Sequence, residues 1–319
     1  MNQFAVLTSG GDSPGMNAAV RAVVRTSIYH KLSIFGVNQG YRGLIDDEIF
    51  PLDVYSVADI IQRGGTVLHT ARSERMRTEE GIDKAAENLK RRGIDGLVII
   101  GGDGSYRAAK ELSLRGVNVV TLPGTIDNDI PCTDYTIGFD TAVNTAVDAI
   151  SKIRDTTNSH NRVNIVQVMG RNSGNLALYS GLAGGAEAIV VPEMAYDADK
   201  IITKLLKGKE RGKLHIIIVF AEGAGDLRTF CEEIETKSKF TTRTTVLGYI
   251  QRGGSPSAFD RILASHMGSL AVEVLMQGKT NRAICIQNNH YVDMDITEAL
   301  AMPYQFNKDV YRIAMELSI

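Results

Sequence analysis

Short apolar runs, each followed by a polar glycine-rich loop and then by apolar residues at helical spacing, recur along the whole chain. Phe4 to Thr8, Ile34 to Val37, Gly96 to Ile100, Val117 to Leu122, Val163 to Val168, Ala188 to Val191, His215 to Phe220, Thr244 to Gly248 and Ala283 to Gln287 read as strands, the last of them the final strand. Several are apolar at almost every position, as strands buried on both faces are. Between them Met16, Val20, Val23, Val24 and Ile28 fall at helical spacing, as do Ile82, Ala85, Ala86 and Leu89. Ser13 suits the N-cap of the first helix and Pro14 its first residue. Further helices are expected over 57–62, 141–154, 199–206, 259–276 and 308–317. Strands alternating with helices predict an α/β fold with a doubly wound, mostly parallel sheet, whose ligands gather at the carboxyl ends of the strands. The strands outnumber those of one compact sheet, which favours two α/β domains facing one active-site cleft. No linker marks their boundary.

Charge narrows the partners. With 35 basic and 37 acidic residues and a net charge of -2, the chain offers no basic surface for nucleic acid or an anionic membrane. No apolar run approaches the ~18 residues of a membrane span. The N-terminus passes straight into a strand without a leader pattern. Cys132, Cys231 and Cys285 form neither a disulfide framework nor a metal-ligand spacing, so a reducing cytoplasm is the expected location.

Candidate chemistry collects at strand exits. Gly10-Gly11 and Gly101-Gly102-Asp103-Gly104-Ser105 each lie between a strand and a helix, where glycine lets backbone N–H groups approach an anion and the helix end favours negative charge. Phosphate is the natural guest, and tight turns are the plainer alternative. Neither loop is a Walker loop or a dinucleotide fingerprint. Asp103 inside a phosphate loop calls for a bridging cation, for which Mg²⁺ is suited. A third exit, Pro123-Gly124-Thr125-Ile126-Asp127-Asn128-Asp129, would place Thr125, Asp127 and Asp129 on one face if it continued as a strand. Transfer of a phosphoryl group to an alcohol uses one carboxylate for the hydroxyl proton and another to help place metal. Arg72, Arg162, Arg171, Arg243 and Arg252 fall at or near strand ends, and planar guanidinium groups grip phosphate in pairs of bonds. Taken singly, each also suits an ordinary surface. Glu222, at another exit, suits a sugar hydroxyl. Gln62-Arg63-Gly64-Gly65 and Gln251-Arg252-Gly253-Gly254 match, though four residues do not establish a duplication.

In order along the chain, GGDSPGMNAAVR, IIGGDGS, LPGTIDND, MGRNSG, AEG and QRGGSPSAFDR together resemble the bacterial ATP-dependent 6-phosphofructokinases. The resemblance implies a two-domain α/β fold, with 1–138 plus about 256–303 binding ATP and 139–255 plus about 304–319 binding fructose 6-phosphate. It implies a homotetramer, and phosphorylation of the sugar 1-hydroxyl by Mg²⁺-ATP. Carried over residue by residue, Asp127 is the base, with Thr125, Asp129, Arg171 and Arg72 as its catalytic companions. ATP falls to Gly11, Arg72, Ser73, Gly102, Asp103, Gly104 and Ser105, and Mg²⁺ to Asp103. Fructose 6-phosphate falls to Thr125, Ile126, Asp127, Met169, Gly170, Arg171, Glu222, Arg243, Tyr249, Ile250, Gln251 and Arg252, with Arg162 from a neighbouring subunit. The effectors ADP and phosphoenolpyruvate fall to Arg21, Arg25, Asp59, Arg154, Gly185, Glu187, Arg211, Lys213 and His215.

Departures from the family pattern sharpen these expectations. Pyrophosphate-using relatives usually carry aspartate and lysine where this chain has Gly104 and Gly124, so ATP is the expected donor and pyrophosphate the alternative. Tyr249 stands where histidine is usual, and a phenol cannot carry positive charge. Ser73 and Met76 replace bulkier aromatic residues near the nucleotide. Val54 stands where the effector pocket usually has arginine, which predicts weak effector control. A two-domain sugar-binding protein without catalysis would leave Asp127 and Asp129 without a role.

Overall fold

A computed structural model describes residues 2–158, 162–213 and 215–318. The chain forms two compact units, Met1–Thr141 with Arg252–Tyr304 and Ala142–Gln251 with Gln305–Ile319. In chain order the first unit holds β1 (Gln3–Thr8), α1 (Met16–Tyr29), β2 (Ser33–Val37), α2 (Gly40–Ile45), β3 (Ile49–Leu52), α3 (Glu79–Arg91), β4 (Gly96–Gly101), α4 (Asp103–Leu114) and β5 (Val119–Pro123). Next come α5 (Phe139–Asn158), β6 (Val163–Val168), α6 (Asn175–Ala183), β7 (Ala188–Val190), α7 (Ala198–Glu210), β8 (Ile216–Ala221), α8 (Leu227–Ser238) and β9 (Thr242–Val246). The first unit resumes with α9 (Ala258–Met276), β10 (Arg282–Gln287), β11 (His290–Asp295) and α10 (Ile296–Ala301), and α11 (Lys308–Leu317) belongs to the second.

In the first unit the strands run β11-β10-β5-β4-β1-β2-β3, parallel except for the two edges. Successive side chains point to opposite faces of a strand. Phe4, Val6, Val98, Ile100, Val120 and Leu122 therefore enter one core with α1 and α9. Ala5, Leu7, Leu97, Ile99 and Val119 enter another with α2, α3, α4 and α10. Both faces are covered, which is why these strands read as continuous apolar runs. Each fully buried aliphatic side chain contributes roughly 1.5–3 kcal/mol before the entropy of ordering it. Helices α1 and α9 cross so closely that a Cβ on Gly268 would lie 2.7 Å from that of Ala22. The strand order reverses between β1 and β4, the position where parallel sheets open a crevice for ligands.

The second unit has an all-parallel sheet, β7-β8-β6-β9. Val163, Ile165, Ile216, Ile218 and Phe220 pack against Ile202 and Leu205 of α7 and Phe230 and Ile234 of α8.

Four expectations change. Ala283 to Gln287 is not the final strand, because β11 pairs with it antiparallel; its half-exposed, polar-alternating sequence hid it. Residues 57–62 form turns rather than a helix, with Asp59 at φ 52. Helix α1 starts at Met16 after Gly15 at φ 100, and Ser13, instead of capping it, donates its hydroxyl to the Ile137 carbonyl at 2.9 Å. Past β5 the chain does not stay extended: it bends at Ile126 and Asp127, and Asn128 takes φ 48, so the single face for Thr125, Asp127 and Asp129 is lost.

Helix α9 caps its own start and that of α5. Ser257 accepts the Asp260 N–H at 3.2 Å, and the fully buried Asp260 carboxylate accepts Gly138 N–H and Thr141 N–H, each at 2.8 Å, and the Thr141 hydroxyl at 2.5 Å. Burial pushes the Asp260 carboxyl up to about 6 in spite of these bonds.

Candidate active site

Three strand exits of the first unit are joined edge to edge. Ser9 N–H donates to the Ile100 carbonyl at 2.9 Å and Gly124 N–H to the Gly101 carbonyl at 3.0 Å, which binds the loops after β1, β4 and β5 into one surface. Glycine at 101 is required by this closeness: a Cβ there would fall 2.4 Å from Ser105 Oγ and 2.6 Å from the Ser9 carbonyl. A Cβ added at Gly102 would stand at ordinary contact, 3.8 Å from Thr125 Cβ. Asp103 and Gly104 open α4, and Ser105 behind them is 4 % exposed. At Gly104 an added Cβ would meet nothing within 4 Å, so the space above it is not used by the protein.

The segment from Gly124 to Ile137 closes on itself. Thr136 donates its hydroxyl to the Thr125 carbonyl at 2.7 Å and its N–H to Asn128 Oδ1 at 2.8 Å, while Ile137 N–H returns to the Pro123 carbonyl at 2.8 Å. Within it Asp127 N–H bonds Thr125 Oγ1 at 3.2 Å. Asp127 and Ile126 are buried, at 5 % and 3 % exposure, whereas Thr125 and Asp129 are half-buried.

Other residues of this unit reach the same loops. Thr70 donates to the Gly10 carbonyl at 2.8 Å, which tethers the segment carrying exposed Arg72 and half-buried Ser73. Met76 is 6 % exposed and belongs to the core. The guanidinium of Arg252 lies over Gly11. The two matching tetrapeptides meet: Gly64 lies so close that its Cβ would be 2.4 Å from the Gly254 carbonyl, and Ser255 donates to the Gln62 carbonyl at 2.7 Å. Asn17 secures this turn through the carbonyls of Arg63 and Gly64, both at 3.1 Å. Sequence reasoning overlooked Asn17, which is buried in α1 among apolar residues.

The Asp103 carboxylate has a partner that was not foreseen. Arg107, one helical turn on, grips both carboxylate oxygens at 2.9 and 3.2 Å. Its i, i+4 spacing was the available signal. Among the described residues no three His, Cys, Asp or Glu side chains form a metal cluster. A single carboxylate at a helix start nonetheless fits Mg²⁺ as nucleotides carry it, since that ion keeps waters and takes one or two carboxylates plus phosphate oxygens.

In the second unit Met169-Gly170-Arg171 leaves β6 and Glu222 leaves β8. Gly170 and Arg171 take φ 135 and 52, and Arg171 N–H donates to Glu222 Oε1 at 2.7 Å. The approach is tight, because a Cβ on Gly223 would lie 2.0 Å from the Arg171 carbonyl. Gln251 is fully buried; its amide accepts Met169 N–H at 3.2 Å and donates to the Gly248 carbonyl at 2.9 Å, so it positions backbone. Tyr249 and Ile250 are 80 % and 56 % exposed. Arg162 and Arg243 are not at strand exits. They stand at the amino-terminal ends of β6 and β9, roughly 17 Å of strand away from Arg171 at 3.3 Å per residue.

The residues matched to an effector pocket fall in both units. In the first, Arg21 and Arg25 share a face of α1, where burial and then Arg25 lower the Arg21 guanidinium, and Val54 and Asp59 are exposed. In the second, buried Glu187 pairs with Lys213 at 2.8 Å, Arg154 bonds the Gly184 and Gly185 carbonyls, and His215 is half-buried. Arg211, Lys213, Glu187 and the unforeseen Lys204 line a cavity of about 10 Å³, room for roughly one water. Lys204 bonds Ser318 and is lowered first by burial and then by Lys213.

Residues 3–275 match the sequence model of the family described as Phosphofructokinase. An ATP-dependent 6-phosphofructokinase of Clostridium botulinum (strain Loch Maree / Type A3) is 57 % identical over 318 residues, covering 100 % of both chains, and one of Clostridium acetobutylicum is equally similar. The structure of phosphofructokinase from Saccharomyces cerevisiae superposes with TM-score 0.89 at 34 % identity, over 99 % of this chain and 47 % of that one. A pyrophosphate-dependent phosphofructokinase from Marinobacter aquaeolei shares the fold, with TM-score 0.84 at 22 % identity over 100 % and 92 %. With its three glycine-bearing exits bonded side by side and a family match across most of its length, the chain belongs to the phosphofructokinase family.

Proposed function

We propose that this protein transfers the terminal phosphoryl group of ATP to the 1-hydroxyl of fructose 6-phosphate, giving fructose 1,6-bisphosphate and ADP. The observation that carries the reading is the direct hydrogen bond between the Gly101 and Gly124 loops, which sets a phosphate-cradling turn beside the buried Asp127 carboxylate. Asp127 accepts the hydroxyl proton as the oxygen attacks, and Thr125 orients that hydroxyl. Gly11, Gly102, Gly104 and Ser105 receive the nucleotide with Arg72 and Ser73 beside them. Arg171 and Arg72 stabilise charge spread over the transferring group. Asp103 would hold Mg²⁺ in place of its bonds to Arg107, with Asp129 as charge support, and that ion would neutralise phosphate charge.

Met169, Gly170, Glu222, Tyr249, Ile250 and Arg252 would take the sugar phosphate, with Gln251 as the residue that sets Met169. Because Arg243 stands with Arg162 at the amino ends of their strands, we assign both to a neighbouring subunit's sugar phosphate, which moves Arg243 from the role first expected. A homotetramer in a reducing cytoplasm, with ADP and phosphoenolpyruvate as effectors, completes the proposal.

Coupled assay of the purified protein with fructose 6-phosphate and either ATP or pyrophosphate tests it. Turnover with ATP is expected. Turnover with pyrophosphate alone would reassign the donor, and product with neither would overturn the kinase reading.

A further inference from the structure

The turn that leads to Arg72 hangs on one buried hydroxyl. Thr8 is the last residue of β1 and is fully buried. Its place is fixed from two sides: in the sheet it stands opposite Ile100 of β4, and its carbonyl lies so close to Gly40 that a Cβ there would come within 2.5 Å of it. The Thr8 hydroxyl lies 2.9 Å from the His69 carbonyl and 2.8 Å from Thr66 Oγ1. A carbonyl only accepts, so the Thr8 proton goes to His69 and the Thr66 hydroxyl is left to donate to Thr8. Thr66 Oγ1 in turn accepts Leu68 N–H at 3.3 Å. These bonds run in one direction, from Leu68 N–H through Thr66 and Thr8 to the His69 carbonyl, and they close on a single turn, residues 66–69.

That turn keeps a backbone conformation that needs support. His69 takes φ 56, a left-handed value that a residue with a side chain adopts only where its surroundings hold it. The restraints are Thr8 on its carbonyl, Gln39 N–H on the Leu68 carbonyl at 2.8 Å, and its own ring Nδ1, which donates to Asn38 Oδ1 at 3.1 Å. The chain leaves the turn at Thr70, whose hydroxyl reaches the Gly10 carbonyl at 2.8 Å, and Arg72 follows two residues later. Thr8 directly precedes Ser9-Gly10-Gly11, so it ties the glycine loop and the Arg72 segment to one fixed point of the sheet.

We propose that Thr8 is a positioning residue for phosphoryl transfer, its buried hydroxyl holding the 66–70 turn in the conformation that carries Arg72 to the transferring group. The inference rests on the role given to Arg72 under the proposed function. Thr8 acts through Arg72 and not by contact with a substrate. Stabilising the charge of a transferring group is a transition-state interaction that a displacement of about 1 Å weakens severely. Loss of the hydroxyl is therefore read in kcat more than in KM for fructose 6-phosphate.

The test uses initial rates of the full-length protein. Thr8→Val keeps the branched shape and removes both donor and acceptor. It should lower kcat about 10- to 100-fold and leave KM for fructose 6-phosphate within about threefold of the parent value. Thr8→Ser restores the hydroxyl and should recover most of that loss. In an Arg72→Ala background, where no guanidinium remains to be placed, Thr8→Val should change kcat by less than about twofold. Hydrogen exchange gives a readout apart from activity: amides of residues 66–70 should exchange at least about tenfold faster in Thr8→Val, with those of β5 unaltered. Equal losses in the Val and Ser variants, a loss confined to KM, the same loss of kcat without Arg72, or parent-like exchange over 66–70 would each overturn the proposal. Should Thr8→Val fail to fold, Thr66→Val cuts the same chain of bonds at a half-buried residue and is held to the same outcomes. Arg72→Ala with the parent's kcat would overturn the role of Arg72 and this proposal with it. That result is distinct from an impaired Arg72→Ala to which Thr8→Val is not coupled, which overturns the positioning alone.

Discussion

The Arg252 guanidinium covers Gly11: a Cβ added there would stand 3.0 Å from Nη1 and 3.2 Å from Cζ. Arg252 is the first residue of the returning segment of the first unit, so the loop proposed for the nucleotide and a proposed sugar-phosphate ligand share one contact. Gly11→Ala would push the guanidinium by a few tenths of an ångström. It is expected to raise KM for fructose 6-phosphate as well as for ATP. A double-mutant cycle with Arg252→Ala should show coupling of at least about 0.5 kcal/mol, and additive effects would separate the two residues.

Gly104 and Gly124 should respond differently to the residues found in pyrophosphate-using relatives. Open space surrounds Gly104, so Gly104→Asp is expected to leave the melting temperature unchanged and to raise KM for ATP by at least ~10-fold. A Cβ on Gly124 would lie 3.0 Å from Ile100 Cγ2, 3.1 Å from Met16 Cε and 3.3 Å from the Gly101 N. Gly124→Lys should therefore lower stability by about 1–3 kcal/mol, the usual range for overpacking. Thermal melts beside ATP titrations separate the two cases.

What the linear pattern revealed follows from periodicity. Strands buried on both faces, such as β4 and β8, read as unbroken apolar runs, and the loops after them carry their own glycine chemistry. Edge strands β3 and β11 escaped notice because one side faces solvent and β3 contains Pro51. The turns over 57–62 imitated a helix because Val57 and Ile60 are both buried there, three residues apart. Roles set by long-range bonds were not legible: Asp260 capping α5 across 119 residues, or Gln251 holding Met169 across 82. Arg162 and Arg243 were assigned to strand exits because a sequence shows that an arginine adjoins a strand more readily than at which end it stands.

Val54 makes effector control a sharp case. It is 40 % exposed where the family pattern has arginine, and a lost charge-assisted hydrogen bond removes about 1.5–3 kcal/mol of binding. That equals a typical allosteric coupling. Fructose 6-phosphate saturation curves should therefore move little with ADP or phosphoenolpyruvate, and Val54→Arg should strengthen both responses. A strong shift by micromolar effector in the unaltered protein would refute this.

Asp127→Ala is expected to lower kcat at least ~100-fold, the low end for loss of a general base, with KM for fructose 6-phosphate changed much less. Initial-rate kinetics at saturating ATP decide it. A change confined to KM would make Asp127 a binding residue.

Asp260 links acidity to stability. Its carboxyl is raised from an ordinary value of 3.8 to about 6, mainly by burial, so between these two values the folded state binds more protons than the unfolded one. Stability from this group is therefore fully present below about pH 4 and is lost as pH rises through about 6. At about 1.4 kcal/mol per unit the change is at most about 3 kcal/mol. Asp260→Asn cannot ionise, keeps one acceptor oxygen for the three donors, and should be destabilised most at pH 4. Its deficit relative to the parent protein should shrink toward pH 7. Denaturant unfolding of both proteins at matched pH measures that difference with the other carboxylates cancelling. A deficit that stays constant from pH 4 to 7 would mean that the bonds from Gly138 and Thr141 hold Asp260 ionised throughout.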